Sequence, residues 1–75
     1  MAINALIRYI DGGASTYSVD DRELDHLDAL RSEGLTGKAL IDAWITDDWA
    51  APPTDVVIRG VTSTGRAIGL TLFYD

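Results

Sequence analysis

The chain has no cysteine, two prolines, one histidine and, among its six basic residues, a single lysine. Without cysteine there is no disulfide and no thiolate metal centre. Apolar runs extend for a few residues only, too short to cross a bilayer. The opening "MAINALIRYI" is interrupted by Arg8 and lacks a basic start followed by an apolar stretch, so it does not read as a secretory signal. A cytoplasmic protein is the expectation. Nucleophilic catalysis has little to draw on. The lone His26 lies in an acidic segment, and Ser15, Ser18, Ser32 and Ser63 have no base near them in sequence.

What is present is acid. Twelve carboxylates against six bases give a net charge of −6, and ten of the twelve are aspartate. Their placement is uneven. Residues 1–19 balance (Arg8, Asp11), and so do residues 49–75 (Asp55, Arg59, Arg66, Asp75). Residues 20–48 hold nine acids against Arg22, Arg31 and Lys38, which accounts for the whole net charge. Such a field repels nucleic acid and anionic lipid and attracts basic protein surfaces.

Seventy-five residues, 47% of them hydrophobic and 24% charged, describe one small globular domain. A chain of this size buries only roughly 60% of the surface its unfolded form exposes, so its core is marginal. "AINALIRYI" (Ala2–Ile10) is rich in β-formers and ends at the turn signal Asp11-Gly12-Gly13. "ASTYSV" (Ala14–Val19) fits a short return strand. A helix start follows. Asp20 is a good N-cap with Glu23 three residues on, and Val19 and Leu24 flank them as a hydrophobic staple. Leu24, Leu27 and Leu30 form the apolar stripe, and Gly34 supplies a left-handed C-cap. A second helix, with Thr36 as N-cap, carries Leu40, Ile41, Ala43, Trp44 and Ile45 on a broad apolar face. Pro52-Pro53 lie beyond its end. The last third predicts a hairpin, "TDVVIRGV" and "RAIGLTLFYD" about "TSTG" (Thr62–Gly65). In its second strand Ile68, Leu70, Leu72 and Tyr74 share one side, with Ala67, Gly69, Thr71 and Phe73 on the other. The expected fold is α+β: β(β)ααββ, a mainly antiparallel sheet of three or four strands with two short helices packed on one face.

Four motif-like patterns fail on inspection. "GLTGKA" (Gly34–Ala39) has two residues where a phosphate loop needs four, and Ala39 stands where that motif has Ser or Thr. "DRELDHLDALRSE" places His26 and Ser32 where a calcium loop needs Gly and Glu. The two helices have the outline of a helix–turn–helix. Lys38 alone against Asp42, Asp47 and Asp48 is the wrong charge for a recognition helix. Glu23 and His26 have the Glu-x-x-His spacing of di-metal helices, but the only other glutamate is Glu33. No metal, cofactor or catalytic residue is expected.

Asp21, Asp25 and Asp28 stack at i, i+4 and i+7, where like charges cost a few tenths of a kcal/mol per pair. Aspartate is also the poorer helix former, and a helix face built for stability would pair Glu with Lys. Short aspartates instead hold charge close to the backbone, and the ridge repeats every roughly 4.5–6 Å, comparable to phosphates along a strand. In size, acidity and lack of catalytic constellations, the chain resembles the small acidic inhibitors that phages and other mobile elements make against host defence, anti-restriction and anti-CRISPR proteins among them. The resemblance is one of class, with no defining motif. It implies a non-enzymatic protein that occupies a basic nucleic-acid-binding surface of a host effector, its carboxylates replacing phosphates. Asp21, Asp25, Asp28 and Glu33 would form one ridge. Asp42, Asp47 and Asp48, near Trp49, would form a second, with Trp49 either covering the core edge or standing as an aromatic anchor within the acidic rim. The alternative expectation is a self-assembling module, its acidity serving solubility alone. "VVIRGV" and "GLTLFYD" would then be edge strands pairing copies into a homodimer.

Overall fold

The computed structural model describes residues 3–45 and 51–75. The elements are β1 (Ile3–Tyr9), β2 (Ala14–Val19), α1 (Asp21–Ser32), α2 (Gly37–Trp44), β3 (Pro53–Val61) and β4 (Ala67–Phe73). They form one antiparallel four-stranded sheet in the order β2-β1-β3-β4. The ββααββ sequence expectation is met, with the second strand present and four strands in all.

Register explains which residues are inside. Ile7 faces Val56, which faces Leu72, and Ala5 faces Ile58, which faces Leu70. Directly opposed residues share a side of the sheet. That side therefore presents Ile3, Ala5, Ile7, Val56, Ile58 and Leu72 to Leu24 and Leu27 of α1 and to Leu40 and Ile41 of α2, and together with Val19 these make one core. Ala43, expected on the apolar face of the second helix, is exposed, because Leu40 and Ile41 already point α2 inward.

The ends of α1 carry the local chemistry read from the sequence. Asp20 Oδ1 accepts the backbone N–H of Glu23 at 2.8 Å. At the other end Gly34, with φ of +92°, allows its own N–H to reach Arg31 O and that of Leu35 to reach Leu30 O, a Schellman closure. The start of α2 differs from expectation. Thr36 makes no side-chain cap bond. Its place is taken by the far end of the chain, where Asp75 O accepts the backbone N–H of Lys38 at 3.1 Å.

Among the described residues, no helix lies over the other side of the sheet. A shallow surface of about 530 Å³ is lined there by Asn4, Leu6, Arg8, Val57, Arg59 and Thr71. The best-built contact on this side joins the two central strands. Arg8 Nε donates to Asp55 Oδ1 at 2.7 Å and Arg8 Nη2 to Asp55 Oδ2 at 2.5 Å, with the Asp55 side chain 10% exposed. The two hydrogen bonds from Arg8 hold the Asp55 carboxyl below the ordinary aspartate value and raise the guanidinium. A carboxylate with a lowered folded-state pKa stabilises the fold above the ordinary value and loses that contribution as pH falls through the lowered one. Asp55→Asn is therefore expected to unfold at lower urea than the wild type at neutral pH. The gap should begin to close below about pH 4. Paired urea titrations at neutral and acidic pH check this, and a gap independent of pH would contradict it.

Candidate protein-binding surface

Of the acids singled out in the sequence, Asp21, Asp25 and Asp28 stand on α1, and Glu33 is the residue that caps its end. At about 100° per residue, with Leu24 and Leu27 facing the sheet, Asp25 lies on the outward side, near Arg22 and Ala29. Asp21 and Asp28 lean to one flank, and that flank abuts the β3–β4 turn. Asp21 Oδ1 accepts the backbone N–H of Ser63 at 3.5 Å, and Asp21 Oδ2 accepts the Ser63 hydroxyl. Arg66 Nη1 donates to Asp28 Oδ2 at 3.3 Å. The turn is itself tied by Thr62, whose Oγ1 accepts the N–H of Arg66 at 3.0 Å. Two of the four ridge carboxylates thus hold a hairpin in place while remaining at the surface. The carboxylates of Asp25 and Glu33 have no partner among the described residues.

Asp42 is engaged elsewhere. Its Oδ1 accepts the Tyr74 hydroxyl and its Oδ2 the Lys38 ammonium, both at 2.8 Å, and Lys38 Nζ lies 5.4 Å from the centre of the Tyr74 ring. The hydrogen bond to Asp42 is the main reason that the Lys38 ammonium is held above its ordinary value. Arg66 and Tyr74 bracket β4 at opposite ends, eight residues apart, which at strand rise is roughly 26 Å. The α1 ridge and Asp42 are consequently two separate surfaces, one at each end of β4. Asp47, Asp48 and Trp49 lie outside the described residues.

Trp44, expected in the core, is half-buried against it, and its Nε1 donates to Glu23 O at 2.8 Å, binding the two helices together. His26 is exposed. Among the described residues no group of three His, Asp or Glu side chains converges to hold a metal ion. No helix there is long and apolar enough to cross a membrane.

Two features of the surface were not anticipated from the sequence. One is the Arg8–Asp55 pair, whose partners are 47 residues apart and meet only through the β1–β3 register. The other is the position of "VVIRGV". It belongs to β3, which is interior, flanked by β1 and β4, so it is not an edge strand. Among the described residues the edges of the sheet are β2 and β4. The chain matches no protein-family model, no curated protein and no solved structure.

Proposed function

We propose that this chain is a non-enzymatic acidic binding protein of the phage-inhibitor kind, which docks its helix layer on a basic, nucleic-acid-binding surface of a host effector. The observation that carries the reading is the segregation of charge. The whole −6 falls within residues 20–48, the stretch that contains both helices, while the residues before and after it sum to zero. The hydrogen bonds from Ser63 and the ion pair with Arg66 fix Asp21 and Asp28 in advance of binding. Groups already held in position lose less freedom on association. Asp25 is exposed and has no partner among the described residues, ready for an Arg or Lys that ordinarily contacts a phosphate. Asp42 would serve the fold beside Tyr74.

The test is capture from bacterial lysate by tagged protein, with washes at low and high salt. A nucleic-acid-binding protein retained at low salt and released at high salt is the expected catch. Reversing these two carboxylates, Asp25→Lys with Glu33→Lys, removes no side-chain hydrogen bond or ion pair among the described residues. It should cut that capture at least about tenfold, because like-charge juxtaposition costs several kcal/mol across an interface. Equal capture by a folded double variant would sink the acidic-surface reading.

A further inference from the structure

The outer edge of β4 is built unlike the edge of a protein that stays single. Native edges are interrupted by charge, proline or bulges that discourage pairing with another strand. From Ala67 to Tyr74 the chain has no charged residue and no proline, and β4 pairs with β3 without a register shift. The outward backbone groups follow from the ladder. Thr62 N–H reaches Arg66 O at one end and Tyr74 N–H reaches Thr54 O at the other, so the even-numbered residues of β4 direct their hydrogen bonds at β3. In antiparallel alternation the residues between them turn theirs away. Ala67, Gly69, Thr71 and Phe73 therefore aim their N–H and C=O groups off the sheet. All four are exposed, Phe73 to 60%.

We infer that β4 is the contact by which a second copy of this chain joins it, the two β4 strands running antiparallel about a two-fold axis at Leu70 to make one eight-stranded sheet. The strand is complementary to itself in that register. Outward residues must meet outward residues, which sets Ala67 opposite Phe73 of the second copy and Gly69 opposite its Thr71. Each pair is small against large. Leu70 meets Leu70, and Ile68 meets Leu72, so the half-buried Ile68 and Leu70 are covered by apolar partners. About eight backbone hydrogen bonds form across the axis. The antiparallel arrangement also brings Arg66 of each copy to the end where Asp75 of the other lies, a pairing of opposite charges. β2 offers less. Its outward residues are Ala14, Thr16 and Ser18 in a strand of six, two of the three bearing hydroxyls.

The pairing stands apart from the acidic-surface reading, because it uses no residue of α1. Sedimentation of the wild-type chain over a range of micromolar concentrations should show a reversible monomer–dimer equilibrium. Thr71→Pro removes an N–H that β3 does not use, so the strand stays in the sheet while the edge is blocked. This variant should sediment as a folded monomer. Should proline disturb the fold, Thr71→Lys puts a charge on the edge without constraining the backbone and should give the same monomer. Register is read by introduced cysteines, since the chain has none of its own. Leu70→Cys lies on the axis, with Cα atoms about 4.5 Å apart, and should cross-link on oxidation. Phe73→Cys, about 20 Å from its symmetry mate, should not. A wild type that stays monomeric or a dimer that survives both Thr71 variants would overturn the inference. So would cross-linking of the Phe73→Cys variant with none of the Leu70→Cys variant.

Discussion

Replacing Leu27 by alanine is expected to lower the unfolding free energy by about 2–5 kcal/mol, the cost of emptying a buried leucine site that cannot fully collapse. Leu27 is completely enclosed, between the Leu24 and Leu30 turns of α1 and the sheet side carrying Ile7, Val56 and Ile58. A domain of this size is stable by roughly 4–11 kcal/mol in total, so the change removes a large share of it. At about 4–8 °C per kcal/mol the midpoint should fall by roughly 8–40 °C. α1 would keep Leu24 and the half-buried Leu30 against the core, and beside them the polar ties from Trp44 to Glu23, Asp21 to Ser63 and Asp28 to Arg66. All three are at or near the surface, and exposed pairs of this kind contribute about 0–1 kcal/mol each. Thermal and urea unfolding measured together check the point. A lower midpoint with an unchanged urea slope is expected, and a loss under about 1 kcal/mol would mean that the leucine stripe does not anchor the helix.

The same helix shows what was legible in the sequence. Val19, Asp20, Glu23 and Leu24 at one end, and Gly34 at the other, act within a few residues of each other, so their chemistry could be read locally. The alternation of Ile68, Leu70 and Leu72 in β4 was readable for the same reason, since a strand's sidedness is its own property. Strand order is not. β3 sits beside β1 because the two helices carry the chain across the sheet, and nothing within "VVIRGV" records that both its edges are used. The site divides likewise. The i, i+4, i+7 spacing of Asp21, Asp25 and Asp28 was plain. That Asp21 would be claimed by Ser63, 42 residues away, and Asp28 by Arg66, 38 away, depends on where the hairpin turn lands. Sequence proximity groups Asp42 with Asp47 and Asp48. Tyr74, 32 residues distant, places it at the opposite end of β4 from the ridge.

Gly37→Ala is expected to cost about 2–3 kcal/mol, for two reasons that can be separated. Gly37 opens α2 with φ of +57°, where an L-residue with a β-carbon loses about 1–2 kcal/mol. A β-carbon there would also lie 2.8 Å from both the backbone oxygen and a carboxylate oxygen of Asp75. That approach is too close to persist, so the end of the chain must move. Its movement breaks the bond from Lys38 N–H to Asp75 O, the one that serves α2 in place of a Thr36 side-chain cap. Gly34→Ala isolates the first cost. Gly34 also has positive φ, at +92°, but a β-carbon there meets nothing within 4 Å. Gly37→Asn isolates the second, because asparagine tolerates the left-handed region yet brings the same β-carbon. If docking of Asp75 on α2 matters, Gly37→Asn should remain clearly less stable than the wild type and Gly37→Ala should exceed Gly34→Ala by at least about 1 kcal/mol. A wild-type-like Gly37→Asn, with equal losses for the two alanine variants, would show that backbone conformation alone makes position 37 a glycine. The contact between Asp75 and α2 would then be incidental to stability.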